Sequence, residues 1–382
     1  MTIDMNPIQK YFKGLFSKKR VLGDNPELNG LVKADALLAN LANEQKVPGL
    51  SITVLKEGKV LLQKGYGFAD FENRIPVNPK KTIFRIASVS KPIAATALMH
   101  MVTDGQIDLD ASFYEYVSYY PKKKYDFTIR QLAGHTAGIR SYRGMEYGLN
   151  IPYTIKESIE IFKDDPLLFE PGTSYQYTSF DWVLISLAMQ EASSIPFENY
   201  VRQKVLEPLG MKHTLAPNVT LSAVEGLRNT NEASTTLSLT KFYSKSRGRF
   251  RTAKSVNNFY KLAGGGYLST SDDIAKMGQV YLEGRILHKE IRSEFLTSQT
   301  INGKLTYYGL GWQVSQDAQG RSFYGHVGNG VGGYSNFFVY PDEQMVFAIL
   351  INCTNPDVQD ELDSAIGQLI GEKSKSNNFP IS

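Results

Sequence analysis

A chain of 382 residues with 42 Lys and Arg against 38 Asp and Glu has a formal charge of +4, and 42% of it is hydrophobic. These values match soluble globular averages, exclude a fibrous or disordered chain, and at roughly 150 residues per domain predict two structural lobes. A single cysteine, Cys353, excludes an internal disulfide, and no Cys/His cluster has zinc-ligand spacing, so neither a metal nor a cofactor is expected.

Residues 1–27 are polar, lack a sustained period and read as an N-terminal extension. Ala34, Leu37, Leu38 and Leu41 recur at helical spacing until Pro48-Gly49 stops the pattern. Leu50, Ile52 and Val54 alternate with Ser51, Thr53 and Leu55, and Glu57-Gly58 turns the chain into Val60-Leu61-Leu62, the pattern of a hairpin. From about Ile93 to Ile286 the reading is mostly helical with long polar connections, with a clear period through Val183, Leu184, Leu187 and Ala188. Strands are predicted again at Leu310–Val314, Phe323–His326, Tyr334–Tyr340 and Met345–Ile351. A last helix carries Val358, Leu362, Ile366 and Leu369 on one face.

Strands from the two chain ends are too few to form separate sheets, so one antiparallel sheet is expected, flanked by helices and interrupted by a large, mostly helical insert. This α/β (α+β) reading divides the chain into residues 1–27, a sheet lobe of 28–92 and 295–382, and a helical lobe of 93–294. A site is expected in the cleft between the lobes. The basic runs Lys18-Lys19-Arg20, Lys122-Lys123-Lys124 and Lys241 to Lys254 belong to no nucleic-acid module and read as solvated loops. No apolar run approaches the roughly 20 residues that span a bilayer, and the N-terminus lacks the apolar core of a signal peptide. A soluble chain is therefore expected, either cytoplasmic or exported with its signal trimmed.

Three short segments could carry chemistry. Ser88-Val89-Ser90-Lys91 falls where the extended Phe84-Arg85-Ile86 gives way to a helix, with Pro92 in its first turn. Side chains three apart share a helical face, so Lys91 can reach the Ser88 hydroxyl. A serine is a poor nucleophile until a base takes its proton, and a buried lysine of lowered pKa can be that base. Alone, Ser-x-x-Lys occurs about once or twice by chance in a chain this long. Tyr177-Thr178-Ser179 follows Pro171-Gly172 and opens a helical pattern; a tyrosine beside a lysine is expected to give up its proton more readily than a free one. His326-Val327-Gly328-Asn329 ends a predicted strand, and Gly330, Gly332 and Gly333 follow. Such glycines let another backbone approach a strand edge, and the Asn329 N–H with that of Ser88 could form an oxyanion hole.

In this order, the three segments resemble the motifs of the serine beta-lactamase and penicillin-binding-protein family, nearest its class C, DD-peptidase and esterase branch. Supporting stretches are His135-Thr136-Ala137-Gly138-Ile139, Pro171-Gly172, Leu206 to Met211 and Gly264 to Thr270. Ser88-Val89-Ser90-Lys91-Pro92, Gly138-Ile139-Arg140, Lys241-Phe242-Tyr243 and Ala263 to Thr270 resemble the group of mitochondrial serine beta-lactamase-like proteins and their bacterial relatives, which is implied to contain peptidases. The resemblance implies Ser88 as acylated nucleophile, Lys91 as its proton partner and Tyr177 as proton shuttle to the leaving group. Ser179, His326, Gly328 and Asn329 are implied to bind substrate. Ser179 stands where many relatives have Asn, and offers one donor instead of two. His326 stands where many have lysine, so its hold on a substrate carboxylate is expected to depend on its charge near pH 7. No segment is assigned the role of the class A Glu-x-x-x-Asn; Glu170 reads as loop, and penicillin turnover is expected to be slow or absent.

The sequence thus predicts a serine hydrolase forming an acyl-enzyme on an amide or ester, a peptidase or esterase acting on a peptide or small molecule. The alternatives are a beta-lactamase or DD-carboxypeptidase, and a non-catalytic ligand-sensing or self-assembling module on the same fold.

Overall fold

The computed structural model describes residues 26–217, 238–286 and 289–371. The expected extension 1–27 lies almost wholly outside these residues, as does the basic run at Lys18-Lys19-Arg20. Among the described residues, a seven-stranded antiparallel sheet has the order β4-β5-β6-β7-β1-β2-β3. Its strands are β1 (Gly49–Lys56), β2 (Lys59–Asp70), β3 (Ile75–Pro76), β4 (Gln313–Gln316), β5 (Ser322–Gly330), β6 (Gly333–Tyr340) and β7 (Met345–Ile351). Strands from the two chain ends meet where Leu50 pairs with Ile351 and Lys56 with Met345. The β1–β2 hairpin turns on Glu57 and Gly58, whose φ values of 49° and 74° are those of a type I′ turn.

Strand β7 is buried on both faces, and its alternation divides the molecule. Met345, Phe347, Ile349 and Ile351 pack with Leu50, Ile52 and Val54 against helices α1 (Pro26–Asn43) and α5 (Gln359–Ile370), where Ala34, Leu38, Leu362 and Ile366 face the sheet. Val346, Ala348 and Leu350 join the larger core on the opposite side. The polar positions of β1 have a use there: Ser51 and Thr53 hydroxyls lie 2.7 and 2.9 Å from that of Ser271, at the start of helix α4 (Ser271–Leu282). Helix α4 packs flat on the sheet because Gly278 lacks a side chain; a Cβ there would lie 2.4 Å from Val346 Cγ1. The larger core continues into helices α2 (Ser90–Thr103) and α3 (Ser179–Ser193), through Ile93, Ala97, Leu98, Trp182 and Ile185.

Two elements differ from expectation. The strand predicted at Leu310–Val314 starts only at Gln313, because Gly311 takes φ 83° where a Cβ would strike Trp182 and Ala95. The basic stretch Lys241 to Lys254, expected as a solvated loop, contains the hairpin Tyr243–Ser246 with Arg249–Thr252, whose first strand pairs in parallel with Cys353–Thr354.

Candidate active site

The short strand Thr82–Arg85 pairs with Leu268–Ser269 and delivers the chain to Ile86. Ala87 then takes φ 44°, a region alanine rarely enters, and a single 3₁₀ turn, Ala87–Val89, leads into α2. Contacts on both sides hold this turn. The Ser335 hydroxyl of β6 donates to the Ile86 carbonyl at 2.6 Å, and the Tyr267 N–H donates to Ser90 Oγ at 3.1 Å. Ser88 is therefore presented, half-buried, at the N-terminal end of α2.

Lys91 lies one turn on, with a fully buried side chain. Its Nζ is 3.2 Å from Ser88 Oγ, 2.7 Å from Tyr177 OH and 2.7 Å from the Gly264 carbonyl. The Ser179 hydroxyl lies farther off at 3.4 Å. The Tyr177 phenol donates to Ser88 Oγ at 2.7 Å, which closes a triangle of alcohol, amine and phenol. Thr178 caps α3, accepting from the Phe180 N–H and donating to the Arg140 carbonyl, and so fixes the backbone between Tyr177 and Ser179. Gly264 reaches Lys91 only because a Cβ is absent: one built there would lie 2.8 Å from Ser179 Cβ.

Strand β5 passes Ser88 equally closely. A Cβ at Gly328 would lie 2.5 Å from the Ile86 carbonyl oxygen and 3.0 Å from the Ser88 nitrogen. Gly328 thus brings β5 against the backbone of the serine. The Asn329 side chain turns outward, where Oδ1 accepts from the Asn355 N–H, and its carbonyl accepts from the Tyr147 phenol at 3.1 Å.

Burial governs the charges. It pushes the Lys91 ammonium well below its usual range, only partly countered by Asp181, and Lys261 adds repulsion. Lys91 therefore leans toward a neutral amine, with a lone pair free to take a proton. Burial also raises the Tyr177 phenol, against the expectation that a neighbouring lysine makes it more acidic. A lysine that sheds its charge withdraws the attraction that would stabilise a phenolate. His326 differs from expectation for the same reason: burial, then Lys91, lower it to about 3. Its ring contacts the Tyr308 phenol at 3.0 Å and its own strand's Val327 carbonyl at 2.6 Å, so near pH 7 it is a neutral hydrogen-bonding group.

Three groups near the triangle had no role assigned from sequence. His135, at φ 61°, contacts the Asp181 carboxyl at 2.7 Å through Nδ1, and both are buried. Its ring packs 4.6 Å from that of Tyr177 and 4.8 Å from that of Tyr308, forming the wall behind the phenol. The His-Thr-Ala-Gly-Ile stretch and an acid two residues past Ser179 were visible as letters, but nothing in their spacing joins them. Lys261, just before the Ala-Gly-Gly-Gly stretch, is the third. Among the described residues, no helix is long and apolar enough to cross a membrane.

This sheet, with a Ser-x-x-Lys turn, a Tyr-x-Ser helix start and a glycine strand converging beside it, defines the class of serine beta-lactamases and penicillin-binding proteins. Residues 34–371 match the Beta-lactamase family model, and the chain belongs to that family. It is 26% identical over 404 residues to "Serine beta-lactamase-like protein LACTB, mitochondrial" of Homo sapiens, covering 80% of this chain and 71% of that one. Among solved structures, the octameric penicillin-binding protein homologue from Pyrococcus abyssi superposes with a TM-score of 0.72 at 26% identity, over 85% of this chain and 74% of the other. The D-amino acid amidase from Ochrobactrum anthropi SV3, complexed with L-phenylalanine amide, shares the fold with a TM-score of 0.73 at 21% identity, over 90% of this chain and 99% of the other.

Proposed function

We propose that the chain is a serine hydrolase that opens an amide or ester of a peptide or small molecule through an acyl-enzyme on Ser88. The observation that carries this reading is the closed triangle of Ser88 Oγ, Lys91 Nζ and Tyr177 OH around a buried lysine. An ammonium only donates, but a neutral amine has two N–H groups and one lone pair. The Gly264 carbonyl takes one N–H, which leaves the lone pair to accept the Ser88 proton as the oxygen attacks the carbonyl carbon. The developing oxyanion would be met by the Ser88 and Asn329 N–H groups, beside the N-terminal end of α2. Tyr177, a neutral phenol, would give its proton to the departing group and be reprotonated by Lys91. Water then reverses the sequence, and the acyl group leaves as an acid.

A neutral His326 supplies no charge for a substrate carboxylate at the third motif, which supports a peptidase or esterase over a beta-lactamase or DD-carboxypeptidase. Labelling with a fluorophosphonate followed by intact mass and peptide mapping tests the reading. One adduct on Ser88, lost in Ser88→Ala, is expected. No adduct with fluorophosphonate, p-nitrophenyl esters or penicillin would replace the enzyme with a non-catalytic module.

A further inference from the structure

Lys261 is 7% exposed, and its Nζ lies 5.0 to 5.5 Å from the ring centroids of Tyr142, Tyr147 and Tyr260. It donates one hydrogen bond, to the Tyr147 carbonyl at 3.1 Å. Among the described residues it has no carboxylate partner, and burial, then the positive Arg85 and Lys254, lower it from 10.5 to about 7. Neither of these is ion-paired with an acid among the described residues. Its charged form, withdrawn from water beside two other cations, is unfavourable until an anion joins it. Tyrosine faces soften that cost.

The cluster has a definite place along the cleft. Tyr147 holds Lys261 through its carbonyl and reaches the Asn329 carbonyl through its hydroxyl. Lys261 therefore belongs to the Asn329 end of the active edge of β5. Tyr177, the proposed donor to the leaving group, packs toward the other end, with its ring centroid 5.9 Å from that of His326. A leaving group that takes its proton from Tyr177 departs on the His326 side, so the acyl chain extends over Asn329 and Tyr147.

We infer that Lys261 is a specificity-determining residue that holds a carboxylate borne by the acyl portion of the substrate, with the tyrosines around it. The inference rests on the acyl-transfer reading for its orientation, but not for the existence of the anion site. The site differs in place from the third motif, where the buried His326 is enclosed by Tyr308 and its own strand.

Two p-nitrophenyl esters test it: the glutaric acid monoester and the same ester with its far carboxylate methylated, which differ in one charge. The parent protein is expected to favour the charged ester tenfold or more in kcat/KM. In Lys261→Met that ratio should fall to near one, and Lys261→Arg should restore it. Methionine fills similar volume and removes a buried amine without a carboxylate partner, so folding is expected to survive. An equal ratio in parent and Lys261→Met, or no preference in the parent, overturns the inference. If neither ester turns over and Ser88 takes no phosphonate, the acyl-transfer reading fails instead. Calorimetry with monomethyl glutarate and the Ser88→Ala protein then decides: binding lost in Ser88→Ala/Lys261→Met supports the anion site, and no binding, or binding unchanged by the second substitution, overturns it.

Discussion

Replacing Gly328 with alanine would test whether β5 must touch the backbone of Ser88. The added Cβ would lie 2.4 Å from Ser335 Oγ, 2.5 Å from the Ile86 carbonyl oxygen and 3.0 Å from the Ser88 nitrogen. Ordinary contact begins about 1 Å farther out than the two shorter distances. The Ser335 hydroxyl could rotate aside, but it is the donor that fixes the Ile86 carbonyl, so relieving one contact loosens the other. Strand and serine turn must therefore separate. Overpacking of this kind costs about 1–3 kcal/mol, and a misplacement near 1 Å at a reacting centre costs about 10²-fold in rate. The expected result is an unfolding free energy from urea titration lowered by an amount in that range and phosphonate labelling of Ser88 slowed by about 10²-fold. Labelling within a factor of two of the parent would refute the argument that close approach of β5 shapes the site.

Three further outcomes are expected. Tyr177→Phe removes the phenolic proton and should lower ester turnover by about 10²-fold or more; an unchanged rate would remove Tyr177 from the mechanism. In the proposed mechanism Lys91 acts only when unprotonated, and burial lowers its pKa well below 10.5, so kcat/KM should rise with pH and level off well short of 10.5; a rate still climbing through pH 10 would contradict a neutral Lys91. His326 is lowered from 6.5 to about 3, so between those values the unfolded chain binds a proton that the folded chain refuses. Stability from this group should therefore fall as pH drops below 6.5, by up to about 1.4 kcal/mol per unit. Urea unfolding of the parent and of His326→Asn at pH 7 and 5 measures it, and identical pH slopes would count against a neutral buried imidazole.

The sequence made the fold legible where a periodic pattern coincided with a buried surface. The alternation of Leu50, Ile52 and Val54 with Ser51 and Thr53 reflects α1 and α5 on one face and Ser271 on the other. The predicted strand at Leu310 failed because apolar letters conceal a backbone requirement, the positive φ at Gly311 beside Trp182. At the site, Ser88 and Lys91 were readable because helical spacing itself brings them together. His135 and Asp181 were not, since 46 residues separate them and only the packing behind Tyr177 gives the pair a place. The charge states were less legible still. The sequence contains a histidine and a lysine, but burial sets their proton affinities, and the neutrality of His326 follows from a cavity wall built by distant residues.

The pairing of β1 with β7 has a consequence for how the protein is made. Leu50 waits for Ile351, and Ser88 waits for a glycine 240 positions later, so the serine is nearly the first group of the site to leave the ribosome and among the last to acquire its surroundings. Until β7 emerges, one edge of β1 is unpaired, an invitation to the wrong neighbour that favours assistance by a chaperone. The same delay is protective: a nascent chain lacking its final strands cannot assemble the complete triangle with the strand that flanks it.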